Sequence, residues 1–244
     1  MPGAALSVPG ARPSRRGVLP SAPGVPATVH DMGRSGRCRA VVFDFGGVLI
    51  TPITNQVSVV AARHGVSTAT MLEVLLGPEE SGDHPWHRAE RGELATADIQ
   101  GELGPWAARH GVTLHGDEIA SLLRHGGYTV VEEMLAKVVA LGAEGVRTGL
   151  LTNTFVEFHP TLEAIVPFEH FTAVIESCAV GARKPEPAIY AMTSDLLGVA
   201  PAEIVYLDDF AQNIDAARHA GWATIRVTDP VSAVDEIDAY LAPV

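Results

Sequence analysis

Apolar positions along the chain follow three successive rhythms. Ala40-Val41-Val42-Phe43 is a continuous apolar run that ends at Asp44 and is followed at once by Gly46-Gly47, the pattern of a buried strand opening into a tight loop. From about Thr54 to Tyr128 apolar residues recur at helical spacing, as in Val57-Val59-Val60-Ala61, Met71-Leu72-Leu75-Leu76, Ile99-Leu103-Trp106-Ala107 and Ile119-Leu122-Leu123, with Gly, Pro and His breaks between them. No β-branched run interrupts them, so this stretch predicts an all-helical insertion. From Val130 onward short apolar runs alternate with amphipathic segments: helix Val130–Leu141, strand Arg147–Leu151, strand Thr172–Ile175, helix Pro187–Leu197, strand Glu203–Leu207, helix Asn213–Ala220, strand Ala223–Val227 and helix Val231–Leu241. Gly142, Gly145, Gly198 and Gly221 stand where the helices should close. Strands alternating with helices of this length pair in parallel through right-handed crossovers, which gives an α/β fold: a doubly wound sheet with helices on both faces.

Composition refines this picture at the N-terminus. Residues 1–38 are dense in Pro, Gly, Ala, Ser and Arg, lack apolar periodicity and contain no apolar stretch of the kind a secretory signal needs, so they read as a disordered extension. Residues 1–39 hold six arginines against Asp31, a net of +5, and the whole chain carries −12, so residues 40–244 carry −17. An acidic body argues against nucleic acid as a partner, because such binding neutralises phosphates with clustered Lys and Arg. It also means that an anionic substrate needs a local cation, and the chain has two lysines, Lys137 and Lys184. No window approaches the roughly 18 apolar residues of a spanning helix, so no membrane segment is expected. Cys38 and Cys178 lack metal-like spacing and read as reduced thiols, which predicts a cytoplasmic protein.

Candidate chemistry collects where such a sheet binds its ligands, outside the carboxyl ends of the strands. Asp44, Thr152 and Asp208-Asp209 each follow a predicted strand directly, and Lys184 lies in the loop after another. This set suits phosphoryl transfer. Asp44 can attack phosphorus and form an aspartyl-phosphate. Three clustered carboxylates call for a hard cation, and oxygen-only ligands suit Mg²⁺. Thr152 and nearby backbone amides, Gly47 among them, can hold phosphoryl oxygens, while Lys184 supplies compact positive charge.

Asp44-Phe45-Gly46-Gly47-Val48, Leu150-Leu151-Thr152-Asn153, Lys184-Pro185 and Asp208-Asp209, in that order, resemble the four motifs of the haloacid-dehalogenase-like (HAD) hydrolase superfamily over about residues 39–244. The resemblance implies a Rossmann-like core of residues 39–53 and 129–244, with residues 54–128 as a helical cap inserted after the first strand. Trp86-His87-Arg88-Ala89-Glu90-Arg91-Gly92-Glu93-Leu94 is similar to cap sequences in the branch that holds the phosphatase domain of epoxide hydrolases and bacterial sugar-phosphate phosphatases. Carried over, the family implies Asp44 as nucleophile, Lys184 as the charge that orients the phosphate, and Thr152 and Asn153 as phosphate or substrate contacts. Asp44, the Gly46 carbonyl and Asp209 would ligate Mg²⁺, with Asp208 close by or bridged by water.

Gly46 departs from the family. Most of its phosphatases have there a second aspartate that protonates the leaving oxygen, and losing a general acid typically costs on the order of 10²–10⁴ in rate. Three expectations follow: substrates with good leaving groups such as anomeric sugar phosphates or acyl phosphates, a proton supplied by His84, His87, Glu90 or Glu93, or a silent phosphate-binding or partner-binding protein. A dehalogenase is the remaining alternative, disfavoured by the acid pair because that chemistry needs no metal. The expected enzyme is a Mg²⁺-dependent phosphatase of a small phosphorylated metabolite; its specific substrate and oligomeric state are not encoded in any of these patterns.

Overall fold

The computed structural model describes residues 38–78, 82–116, 118–123 and 128–242. The disorder expected of residues 1–38 therefore falls, except at Cys38, outside the described residues. Five strands form one parallel sheet: β1 (Ala40–Phe43), β2 (Arg147–Thr152), β3 (Ala173–Glu176), β4 (Ile204–Asp208) and β5 (Ala223–Arg226), in the spatial order β3-β2-β1-β4-β5. β1 lies at the centre, with Ala40 opposite Arg147 on one side and Ile204 on the other. The chain builds outward through β2 and β3, then returns to the far side of β1 to lay down β4. That reversal is the topological switch point of the sheet.

Side chains on each strand divide between the two faces with period two. Val41, Phe43, Leu150, Val205 and Leu207 pack on one face against helices α6 (Glu132–Ala143), α7 (His159–Ile165) and α11 (Pro230–Leu241), through Met134, Val138, Leu162 and Ile237. Val42, Leu151, Ile204 and Tyr206 pack on the other against α9 (Pro187–Leu197) and α10 (Ala211–His219), through Ile189, Tyr190, Ile214 and Ala217. Local signals set the helix ends. Pro187 opens α9 and Gly198, at φ +62°, closes it in the left-handed region. Asp229 caps α11 by accepting the Ser232 N–H at 3.1 Å.

Between β1 and β2 lie α1 (Thr54–Arg63), α2 (Thr68–Leu76), α3 (Pro85–Glu90), α4 (Thr96–Arg109) and α5 (Glu118–Leu123). They enclose their own apolar cluster, in which Val57, Val60, Met71, Val74, Ile99 and Leu103 are buried, and Phe155 reaches into it from the loop after β2. No single described helix is long and apolar enough to cross a membrane; α1 and α2 together have that length and composition, but they meet at 107° and turn their apolar residues into this cluster.

The chain leaves and re-enters the sheet domain through a short stitched ribbon. Thr51 N–H bonds Thr129 O at 2.9 Å, Val131 N–H bonds Leu49 O at 2.9 Å, and Ile50 bridges Val130 antiparallel. This ribbon uses Val130 as a strand-like residue, so α6 begins two residues later than the apolar spacing predicts. A four-residue helix, α8 (Ser177–Val180), follows β3 directly, and neither it nor α7 is anticipated by the apolar pattern.

Candidate active site

Asp44 stands at the end of the central strand, held in register by its N–H on Leu207 O at 2.9 Å. β4, its neighbour across the switch point, ends in Asp208, and Asp209 follows. The loop between α8 and α9 brings in Lys184, whose peptide bond to Pro185 is cis. Lys184 Nζ sits 2.7 Å from Asp44 Oδ1 and 2.8 Å from Asp208 Oδ2, with only 2% of the residue exposed. Asn153 positions this loop: its Nδ2 donates to Lys184 O at 2.9 Å and its Oδ1 accepts Lys184 N–H at 2.8 Å. Thr152, the last residue of β2, is buried beside them on the cavity wall.

The two adjacent acids have unlike surroundings. Asp208 is fully buried and engaged on both oxygens: Oδ1 accepts Phe210 N–H at 2.7 Å, Oδ2 accepts Lys184 and the Tyr206 hydroxyl, and Asn213 Nδ2 reaches Oδ2 at 3.0 Å. Asp209 Oδ1 is buried with no hydrogen-bond partner. An orphaned carboxylate oxygen is costly to bury unless a cation or donor meets it. Oxygens of Asp44, Asp208 and Asp209 lie within 4.8 Å of one another, and this trio is the one such group among the described residues. Against Lys184 it leaves a formal charge of −3 + 1 = −2, which a divalent cation would balance. The donor set, all carboxylate oxygen, fits a hard ion such as Mg²⁺.

Electrostatics point the same way. Burial, with Asp208 and Asp209 adding to it against the pull of Lys184, raises the Asp44 carboxyl well above the usual range. Asp209 is pushed up to about 7, first by burial and then by the charge of Asp208. Burial alone would lower Lys184, but Asp208 and Asp44 outweigh it and hold the ammonium. In the protein alone the two acids are thus poised to hold protons that a cation would displace.

A cavity of about 150 Å³ opens above Asp44. Gly46 lines it, and a Cβ built there meets nothing within 4 Å, so the space that an acidic side chain would occupy is open. Gly47 is different: at φ +73° its missing Cβ is what lets Asp209 approach, since that Cβ would lie 2.5 Å from Asp209 Cγ. Of His84, His87, Glu90 and Glu93, Glu90 alone lines the cavity. It accepts Trp86 Nε1 at 3.0 Å, Arg183 Nε at 2.5 Å and Asn153 Nδ2 at 3.4 Å. Glu93 pairs with Arg91 on the surface. His84 is buried against His87 and Trp106, with ring centroids at 5.2 and 4.7 Å, and burial lowers it to about 4, so it is neutral packing in the helical cluster. The two cysteines are free thiols that burial raises to about 11 and 12, outside the range of a reactive thiolate.

Residues 38–221 match the haloacid dehalogenase-like hydrolase family. The chain belongs to that family. Acyl-CoA dehydrogenase family member 10 of Mus musculus is 33% identical over 217 residues, which are 87% of this chain and 20% of that protein, so the chain spans about a fifth of that relative's length. A sesquiterpene phosphatase of Aspergillus oryzae is 27% identical over 205 residues, covering 82% of this chain and 94% of that one. A HAD family enzyme of Bacteroides thetaiotaomicron, solved with magnesium and inorganic phosphate, superposes with a TM-score of 0.56 at 18% identity over 81% of this chain and 98% of that one, which shows the shared fold. This HAD-like hydrolase also holds residues that no sequence pattern singles out. Tyr206 and Asn213 fix Asp208, and Arg183 fixes Glu90; in sequence the first reads as strand core and the others as ordinary helix or loop positions.

Proposed function

We propose that this HAD-like hydrolase is a Mg²⁺-dependent phosphatase of a small phosphorylated metabolite. The observation that carries the proposal is Lys184 Nζ clamped between Asp44 and Asp208 beside an unpartnered Asp209 oxygen. Asp44 attacks phosphorus, the bond from phosphorus to the leaving oxygen breaks, and its electron pair departs with that oxygen. Water then attacks phosphorus of the aspartyl-phosphate, returning the Asp44 carboxylate and free phosphate. Lys184 offsets the charge that builds on the phosphoryl oxygens, and Thr152 with the Gly47 amide orients them. Asn153, both ends of its amide held by Lys184, keeps that lysine in place. Asp44, Asp209 and the Gly46 carbonyl would hold Mg²⁺, with Asp208, the third acid of the cluster, close by and also holding Lys184. When bound, the ion supplies charge screening between the anionic nucleophile and the anionic substrate.

In this reading the helices of residues 54–128 form a cap over a core of residues 39–53 and 129–244. Support comes from the phosphatase among the relatives and from the magnesium and phosphate of the Bacteroides structure. The test is phosphate release from a panel of phosphomonoesters with Mg²⁺ and with EDTA. Metal-dependent release is expected; none from any ester would overturn the proposal. Open space at Gly46 favours a second reading, a silent phosphate-binding protein. Beryllofluoride binding without turnover, unrescued by Gly46→Asp, would support it.

A further inference from the structure

The cavity above Asp44 has two unlike ends. At the floor stand Asp44, Thr152, Lys184 and Asp209; one side of the walls is apolar, with Leu76 and Trp86 contributed by the helical segment, Ile53 standing just before it, and Phe155, Phe158 and Phe210 contributed by segments that follow β2 and β4. Trp86 and Phe155 meet edge to face with centroids 4.9 Å apart.

Polar groups in these walls are already engaged by the protein. Tyr128 donates its hydroxyl to Leu122 O at 2.7 Å, Asn213 holds Asp208, Asn153 holds the Lys184 backbone, and Glu90 accepts three donors. Among the described residues that leaves Gln212, the outer edge of the Arg183 guanidinium and the Thr154 hydroxyl, whose oxygen is buried without a partner, to meet the organic part of a substrate. Three groups are too few for the four or more hydroxyls of a hexose, each of which loses its water on entering. The cavity, of about 150 Å³ and open to solvent on one side, leaves room above the phosphate position for a group no larger than about one ring.

Proton supply narrows the choice further. Besides Asp44 and Asp209, Glu90 is the one carboxyl lining the cavity among the described residues, and its oxygens are engaged; at Gly46 there is no side chain at all. An alkoxide leaves poorly without a proton, whereas a phenolate leaves readily.

We infer that the substrate is the phosphate monoester of an apolar phenol, its ring against Trp86, Phe155 and Leu76 and its phosphate on Asp44. The inference rests on the phosphatase reading and sets its substrate class. Asp44 forms the bond to phosphorus as the phosphorus–aryl oxygen bond breaks, the electron pair leaves as phenolate, and bulk water protonates it outside the rate-limiting step. The anomeric sugar phosphates expected from the glycine at position 46 are thereby poor substrates.

The test uses the full chain with Mg²⁺ and compares 4-methylphenyl phosphate with glucose 1-phosphate, glucose 6-phosphate and hexyl phosphate. Expected is a kcat/KM on the order of 10²-fold higher for the aryl ester than for any of the others. Benzylphosphonate should bind about tenfold more tightly than methylphosphonate, and Leu76→Asn should erase most of that preference. Gly46→Asp, which restores a proton donor, should lower the aryl-to-hexyl ratio of kcat by at least about tenfold. Asp44-dependent turnover of a glucose phosphate equal to or faster than that of the aryl ester, or equal binding of the two phosphonates, overturns the inference and leaves the phosphatase reading standing. Release of phosphate from none of the esters overturns both.

Discussion

At the scale of single residues, the site is a small set of charges whose positions depend on partners that carry no chemistry themselves. Asp208 is the clearest case, an acid with five hydrogen-bond contacts and no exposed surface. Asp208→Ala strands Lys184, Tyr206, Asn213 and the Phe210 N–H together; the expected loss is about 3–5 kcal/mol of stability, the cost typical of breaking a buried ion pair from one side. Urea unfolding measures it, and a loss under about 1 kcal/mol would show that these contacts do not hold the site. Asp209 gives a pH prediction. With its carboxyl raised to about 7 in the metal-free protein, a proton and a cation compete for the same oxygens. Mg²⁺ affinity should therefore fall as pH drops below about 7, by up to about tenfold per unit from Asp209 alone and more steeply where the raised Asp44 also takes a proton, read by calorimetry or by the Mg²⁺-induced rise in Tm. Asp44, Thr152 and the acid pair are legible in the sequence because each stands at the end of an apolar run, and Lys184 because it is one of two lysines and lies before Pro in the loop after a strand. Tyr206, Asn213, Arg183 and the engagement of Glu90 are not, because their roles exist only once distant segments meet.

At the scale of elements, glycines mark where backbones must come close. Gly47 lets the loop after β1 fold under Asp209, and Gly92, at φ +72°, lets the turn after α3 rest on the Cys178 carbonyl, which a Cβ would approach to 2.5 Å. Around that contact Arg91 pairs with Glu186 at 3.0 Å and Glu90 with Arg183, so α3 is tied to the loop that carries Lys184. Gly92→Ala should loosen this tie without touching the nucleophile: KM is expected to rise several-fold while kcat stays within about twofold, and kinetics on 4-methylphenyl phosphate check it. Gly47→Ala strains the backbone and displaces a proposed metal ligand, so it should cost more than about 1 kcal/mol and most of the activity. The strands are readable as short continuous apolar runs, because a parallel sheet covered on both faces buries every position, and the long helices from a period of 3.6 residues. α7 and α8 are not, being too short to show a period, and α6 starts late because Val130 is drawn into the ribbon with Ile50.

At the scale of the whole molecule, the order β3-β2-β1-β4-β5 explains why residues far apart in sequence share one pocket. Crossing from β3 back to β4 places Asp208 beside Asp44, and the loop before α9 delivers Lys184 between them. An acidic body surrounds this lysine, so the anion it receives is held by local charge and by a cation rather than by the protein's overall field. The central claim is that Asp44 is the nucleophile of a metal-dependent phosphoryl transfer. Phosphate release from 4-methylphenyl phosphate by the native chain and by Asp44→Asn, each with Mg²⁺ and with EDTA, tests it most directly. Expected is release by the native chain with Mg²⁺ alone and a fall of at least about 10³-fold in the variant. Release that persists in Asp44→Asn, or that is indifferent to EDTA, would contradict it.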